Sequence, residues 1–144
     1  MKKEGRLIKS KKRVRDFGEV FTPEWLVRDM CALVPDDMYD LNHTFLEPSC
    51  GNGNFLVHIL ERKLKSAESP RDALLALSCL YGVDILEDNV NECKKRLLTI
   101  CESFPNWDIE IHSPIAIKIL DKQIICGDFL KGSLPSKEAW DASA

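Results

Sequence analysis

The chain has 144 residues, 44% hydrophobic and 30% charged, a balance that suits one globular domain with a real core. No run of about 18 apolar residues is present to span a bilayer, and the charged N-terminus lacks the apolar region of a signal peptide, so a cytoplasmic protein with no membrane partner is expected. The net charge of −3 conceals an asymmetry: residues 1–15 hold eight Lys or Arg against Glu4 alone, which gives +7 there and leaves −10 on the rest.

Residues 1–15 read as a basic, solvated and disordered arm, with phosphate tracking as the alternative use of such charge. The folded part is expected over 16–144. Thr22-Pro23-Glu24 carries the residues of a helix start, with Thr22 as N-cap and Pro23 in the first turn. Leu26, Met30 and Leu33 recur at helical spacing and predict its buried stripe, and Val34-Pro35-Asp36-Asp37 supplies the stop. Thr44-Phe45-Leu46, short and apolar, predicts strand 1. A loop over 48–53 follows, and then Phe55, Leu56, Ile59, Leu60 and Leu64 form a helical stripe, so the order is strand, glycine loop, helix.

Ser69-Pro70 predicts another cap and first turn, opening a helix over 71–79 with Leu74, Leu75 and Leu77 available for burial. Residues 80–85 predict strand 2. Over 88–104, Val90, Cys93, Leu97, Cys101 and Phe104 step by three or four, the clearest amphipathic helix in the chain, with Glu92, Lys95, Arg96 and Glu102 on its charged face. Residues 105–113 read as a loop. Ile115, Ile117 and Ile119 alternate as in a strand while Pro114 would equally open a helix, so both readings stay open there. Gln123-Ile124-Ile125-Cys126 predicts strand 3, and 131–144 is polar with Trp140. This alternation predicts an α/β fold of parallel strands with crossover helices. The six cysteines, Cys31, Cys50, Cys79, Cys93, Cys101 and Cys126, show no C-x-x-C pair and no His at ligand spacing. Reduced, mostly buried thiols are expected, and no metal site.

In such a sheet, ligands bind at the carboxyl ends of the strands. Glu47 follows strand 1, Asp84 closes strand 2 and Asp128 follows strand 3, which predicts three acids in register along one rim. Gly51-Asn52-Gly53 lies between strand 1 and its helix, where missing side chains let the backbone turn sharply and approach a ligand. The G-x-G-x-x-G pattern is not completed, because Leu56 holds its last position, and an acid beside the loop would repel a pyrophosphate. That acid suits a ligand with an ammonium group, such as the methionine moiety of S-adenosylmethionine.

Two segments carry a family resemblance across roughly residues 17–130. Phe17-Gly18-Glu19-Val20-Phe21-Thr22-Pro23 resembles the F-x-T-P-like motif, and Leu46-Glu47-Pro48-Ser49-Cys50-Gly51-Asn52-Gly53-Asn54-Phe55 resembles the glycine-loop motif, of the amino-methyltransferases of bacterial restriction-modification systems, N6-adenine type. The resemblance implies a Rossmann-like class I methyltransferase fold, S-adenosylmethionine as cofactor and DNA as partner. It places the cofactor among Phe21, Thr22, Pro23, Glu47, Pro48, Cys50, Gly51, Gly53, Asp84, Ile85, Asp128 and Phe129. Thr22 would hold the methionine carboxylate and Glu47 would face its ammonium. The Gly51 and Gly53 backbone would wrap the ligand, Asp84 would accept from the ribose hydroxyls and Ile85 would lie on the adenine ring. Asp128 would accept from the adenine amine, with Phe129 on the other side of the ring.

The departure from the family is the N-P-P-Y-type catalytic motif, which holds the target amine and stacks on a flipped base. This sequence has none, and Trp140-Asp141 could resemble the pair that precedes the fourth strand. The sequence therefore predicts the cofactor-binding half of the fold, about three strands, with no catalytic residue of its own. Such a piece is expected to be inactive alone and prone to self-association through an exposed sheet edge. Alternative readings are a methyltransferase of RNA or protein amides, a non-catalytic fragment that binds S-adenosylmethionine or a partner, and a nucleotide-binding α/β domain of other function.

Overall fold

The computed structural model describes residues 6–135, so residues 1–5 of the basic arm and the Trp140-Asp141 pair lie outside the described residues. In chain order the elements are α1 (Lys11–Phe17), α2 (Glu24–Cys31), a 3-10 turn at Asp36–Tyr39, β1 (Phe45–Glu47), α3 (Asn54–Leu64), α4 (Pro70–Leu77) and β2 (Leu80–Asp84). They continue with α5 (Glu87–Glu102), α6 (His112–Gln123), β3 (Ile124–Cys126) and a second 3-10 turn at Phe129–Lys131. The three strands form one sheet of order β1-β2-β3, parallel throughout, flanked by the helices. This is an α/β arrangement consistent with the cofactor-binding half of a Rossmann-like methyltransferase fold. No helix among the described residues is long and apolar enough to cross a membrane.

The central strand β2 is buried at all five positions, as its uninterrupted Leu-Tyr-Gly-Val run requires of a parallel strand covered on both faces. Leu56, Leu60, Val90, Cys93, Leu97 and Cys101, at helical spacing on α3 and α5, join Leu77, Leu80 and Ile124 in the main core. Each fully buried Leu contributes roughly 1.5–3 kcal/mol. Gly82 has a packing reason: a Cβ there would come within 2.9 Å of Leu56 and 3.1 Å of Cys50. Five of the six cysteines are buried, and Cys126 is exposed.

Three local expectations are corrected and one open reading is resolved. Thr22 does not cap α2; Pro23 holds the N-cap position without a side-chain bond, and the Thr22 carbonyl accepts from Asn54 Nδ2 at 3.1 Å. The face that α2 buries is Val27 and Cys31, while Met30 and Leu33 are 46% and 84% exposed. The Cys31 carbonyl accepts from Tyr39 Oη at 2.6 Å and Arg62 at 3.4 Å. The helix expected over 71–79 ends at Leu77 and buries Ala73, Ala76 and Leu77, leaving Leu75 exposed. Between the strand and helix readings of 114–119, the helix is realised: Asp108 Oδ1 accepts from the Glu110 and Ile111 amides just before α6, which buries Ala116 and Leu120.

The described part of the arm leads into α1. Ser10 Oγ accepts from the Arg13 amide and Gly18, at φ 64°, closes α1, so the short helix is capped at both ends. Carboxylates elsewhere in the chain hold it down. Lys9 reaches Asp88 at 2.9 Å and Glu92 at 3.1 Å, and Arg13 reaches Asp88 at 2.6 Å and Glu19 at 2.8 Å. The excess acid of the rest of the chain, invisible in a local reading of 1–15, supplies these partners.

Candidate functional site

The strand register places the rim acids on a diagonal. Glu47 pairs with Gly82, two residues before Asp84, and Asp84 pairs with Cys126, two residues before Asp128. Each step therefore advances about 6.6 Å along the strands, in place of the level row expected from the sequence.

Asp84 is 8% exposed, and its carboxylate is already engaged. Oδ1 accepts the Gly51 amide at 3.1 Å; Oδ2 accepts the Leu86 amide and Asn89 Nδ2, both at 3.1 Å. Of the roughly four lone-pair sites of a carboxylate, one remains for a further donor. Glu47 is freer. Among the described residues its carboxylate accepts only from the Ser49 amide, at 3.0 Å, and burial raises its pKa above the ordinary 4.5. Asp128 Oδ1 accepts from the Leu130 amide at 3.0 Å and so caps the turn that contains Phe129.

The glycine loop turns through two left-handed residues, Gly51 at φ 54° and Gly53 at φ 96°. A Cβ on Gly53 would lie 2.8 Å from Cys93 Sγ, and one on Gly51 would lie 3.4 Å from the Phe21 ring. The Cys50 amide donates to the Val83 carbonyl at 2.8 Å. Arg96 of α5 donates to the Asn52 carbonyl at 2.9 Å and to Asn54 Oδ1 at 2.8 Å. Asn52 Oδ1 is a buried acceptor with no donor among the described residues.

Two cavities meet at this loop. The smaller, about 160 Å³, is lined by Phe17 to Thr22 on one side and by Ser49 to Asn52, Asn54, Phe55 and Asp84 to Leu86 on the other. The larger, about 690 Å³, lies among Arg6, Thr22, Trp25, Arg28, His58 and Arg96 and contains none of the three rim acids. Phe21, Thr22, Asn52 and Asn54 line both. The glycine loop, the buried Asp84 carboxylate and the end of β2 converge on the smaller cavity. Its volume alone falls below the roughly 300–1,000 Å³ usual for a small-molecule site.

Six sequence candidates, Phe21, Thr22, Cys50, Gly51, Asp84 and Ile85, line that cavity together. Pro23 lines the larger one. Glu47, Pro48, Gly53, Asp128 and Phe129 line neither; Glu47 closes β1 beside the loop, and Pro48 is exposed.

Residues that sequence reasoning passed over tie the site together. Asn89, fully buried, donates to Asp84 and, at 2.6 Å, to Glu19, and accepts from Lys9 Nζ at 2.7 Å. It joins β2 to the segment that walls the cavity. The usable signal was Glu19 itself, an acid inside the Phe17 to Pro23 motif that follows a run of basic residues.

Over 84 residues the chain is 31% identical to the type II methyltransferase M.VspI of Vibrio sp. (strain 343). The matched stretch is 58% of this chain and 17% of that protein, so the chain spans about a sixth of that relative's length. No family model and no solved structure matches. The identity, with the parallel α/β sheet beneath the glycine loop, supports a methyltransferase relationship for this chain.

Proposed function

We propose that the chain is the S-adenosylmethionine-binding part of a DNA amino-methyltransferase, adenine-N6 in type and of a restriction-modification system. The observation that carries the reading is the convergence of the glycine loop, the buried Asp84 carboxylate and the Phe17 to Thr22 wall on one cavity at the carboxyl ends of parallel strands, with Glu47 at the end of β1 beside the loop and without a cationic partner among the described residues.

The residues present fit the cofactor. Glu47 has open lone pairs for an ammonium group, Asn52 Oδ1 is a buried acceptor in want of a donor, and Gly51 and Gly53 leave the loop backbone bare. The acids descend diagonally, which suits an elongated ligand with an amine at one end and hydroxyls midway. When bound, the cofactor supplies an activated methyl group on a sulfonium. Glu47 would hold the ammonium, Thr22 with its neighbouring backbone the carboxylate, Asp84 one ribose hydroxyl, and Ile85 and Phe129 the adenine faces, with Asp128 at the adenine amine. Asp84 has a second duty in this reading, because the same carboxylate holds the Gly51 amide and so fixes the loop before any ligand arrives.

Titration calorimetry with S-adenosylmethionine and S-adenosylhomocysteine tests the proposal. Binding heat that is lost in Glu47→Ala supports it. Absence of heat from both ligands, at protein concentrations near 1 mM where even an interaction of about −4 kcal/mol registers, overturns it.

A further inference from the structure

The basic N-terminal segment divides its charges between two faces of α1. At ~100° per residue, Lys11, Arg15 and Lys12 fall within an arc of about 100°, while Arg13 lies on the opposite side. The structure uses the two sides differently. Arg13, with Lys9 just ahead of the helix, turns inward onto Glu19, Asp88 and Glu92, whereas Lys11, Lys12 and Arg15 are exposed. Among the described residues no carboxylate pairs with Lys11 or Lys12; Arg15 meets only the adjacent Asp16, at 3.2 Å, with three quarters of its side chain exposed.

This outward face is fixed in place. The helix is capped by Ser10 and Gly18, its inner face is bonded to α5 and Glu19, and the Phe21 amide donates to the Leu7 carbonyl at 2.7 Å, closing the segment on itself. Its last residue Phe17 and the following Gly18 line the smaller cavity. Lys11 lies six residues before Phe17, about 9 Å along the axis, so all three cations stand within two helical turns of the cavity wall.

We infer that Lys11, Lys12 and Arg15 form a phosphate-contacting surface that seats the backbone of duplex DNA beside the cofactor cavity. The inference rests on the proposed DNA substrate and adds where that substrate is held. Charge complementarity argues for it: a chain of net −3 would repel a polyanion, yet at α1 the acids engage the inner cations, leaving Lys11 and Lys12 unpaired among the described residues and Arg15 held only by the adjacent Asp16. An anionic membrane fits less well, since α1 buries no residue and has only Val14 and Phe17 as apolar positions, too few for the apolar face of an interfacial helix.

The test is fluorescence anisotropy of a labelled duplex of about 20 base pairs with the full 144-residue chain, from about 50 to 200 mM salt, beside the triple variant Lys11→Ala, Lys12→Ala, Arg15→Ala. The parent is expected to bind with a non-specific Kd on the order of 10⁻⁴–10⁻⁶ M, and the triple variant to lose at least tenfold, with its log–log salt slope shallower by about 2 to 3. S-adenosylmethionine titration and thermal unfolding of the variant should match the parent. An unchanged affinity and slope in the variant overturns the inference, as does parent binding to phosphatidylcholine–phosphatidylglycerol vesicles as tight as to duplex. A parent that binds S-adenosylmethionine but no duplex sinks this inference alone. One that binds duplex through these cations but gives no cofactor heat sinks the cofactor reading and leaves the surface standing.

Discussion

The Asp84 carboxylate accepts the Gly51 amide at 3.1 Å, so the acid that closes β2 sets the conformation of the loop that leaves β1. Its other oxygen takes the Leu86 amide and Asn89. A solvated strand end would cost nothing to remove; a buried acceptor of three donors does. Asp84→Ala is expected to destabilise the fold by about 1–3 kcal/mol and to abolish cofactor binding through loop disorder, with Asp84→Asn intermediate. Urea unfolding should show a lower midpoint at unchanged slope.

Gly53→Ala meets two obstacles at once. Its φ of 96° disfavours any Cβ, and that Cβ would fall 2.8 Å from Cys93 Sγ. A loss of about 1–3 kcal/mol is expected. Adding Cys93→Ala should return part of it by clearing the contact but leaving the backbone strain, and a double-mutant cycle measures the portion regained.

The pH dependence should follow Glu47. Burial raises its pKa above 4.5, so the folded chain holds that proton more tightly than the unfolded one. The stability this contributes is full below the unfolded value and is lost as pH rises through the folded value. Ligand binding runs the other way: an ammonium partner needs the carboxylate, so affinity is full above the raised value and falls by up to about tenfold per pH unit below it. Calorimetric titrations across this range should show that loss, and Glu47→Gln should bind weakly with no such dependence.

The fold was legible wherever periodicity and burial agree. Val90, Cys93, Leu97 and Cys101 defined α5 because all four point into one core, and Ser69-Pro70 marked α4 because its cap is local. The α2 stripe misled since Leu26, Met30 and Leu33 match helical spacing as well as Val27 and Cys31 do; which face turns inward depends on α3, a partner some thirty residues on. At the smaller cavity, Gly51 and Asp84 could be named from sequence because loops and strand ends have recognisable order, whereas Gly53, named by the same pattern, packs against Cys93. The bonds of Asn89 to Glu19 and of Arg96 to Asn52 join residues 70 and 44 apart, and no local pattern encodes them.

The 144 residues contain no N-P-P-Y-type segment. In-line positioning of an acceptor nitrogen can supply about 7 kcal/mol or more of a barrier, and neither the α1 cations nor Phe129 in its capped turn offers a stacked, hydrogen-bonded seat for a base. Tritiated-methyl transfer to unmethylated duplex or single-stranded DNA by these residues is expected to stay at the no-enzyme level. Incorporation well above that level would relocate the chemistry to residues not assigned here.

Lys63 of α3 is wholly buried, its ammonium donating to the Asp40 and His43 carbonyls at 2.5 and 2.6 Å, and burial lowers its pKa. Once freed its amine reacts as an ordinary lysine, yet no reagent can reach it while the 40–43 segment stays seated against α3. Lysine acylation therefore becomes a clock with two hands: Lys11 and Lys12 should react at once, and Lys63 only at the rate at which the domain opens. Mass spectrometry of a timed labelling series would read that opening rate directly, and a bound ligand that stiffens the domain should slow the second hand and leave the first alone.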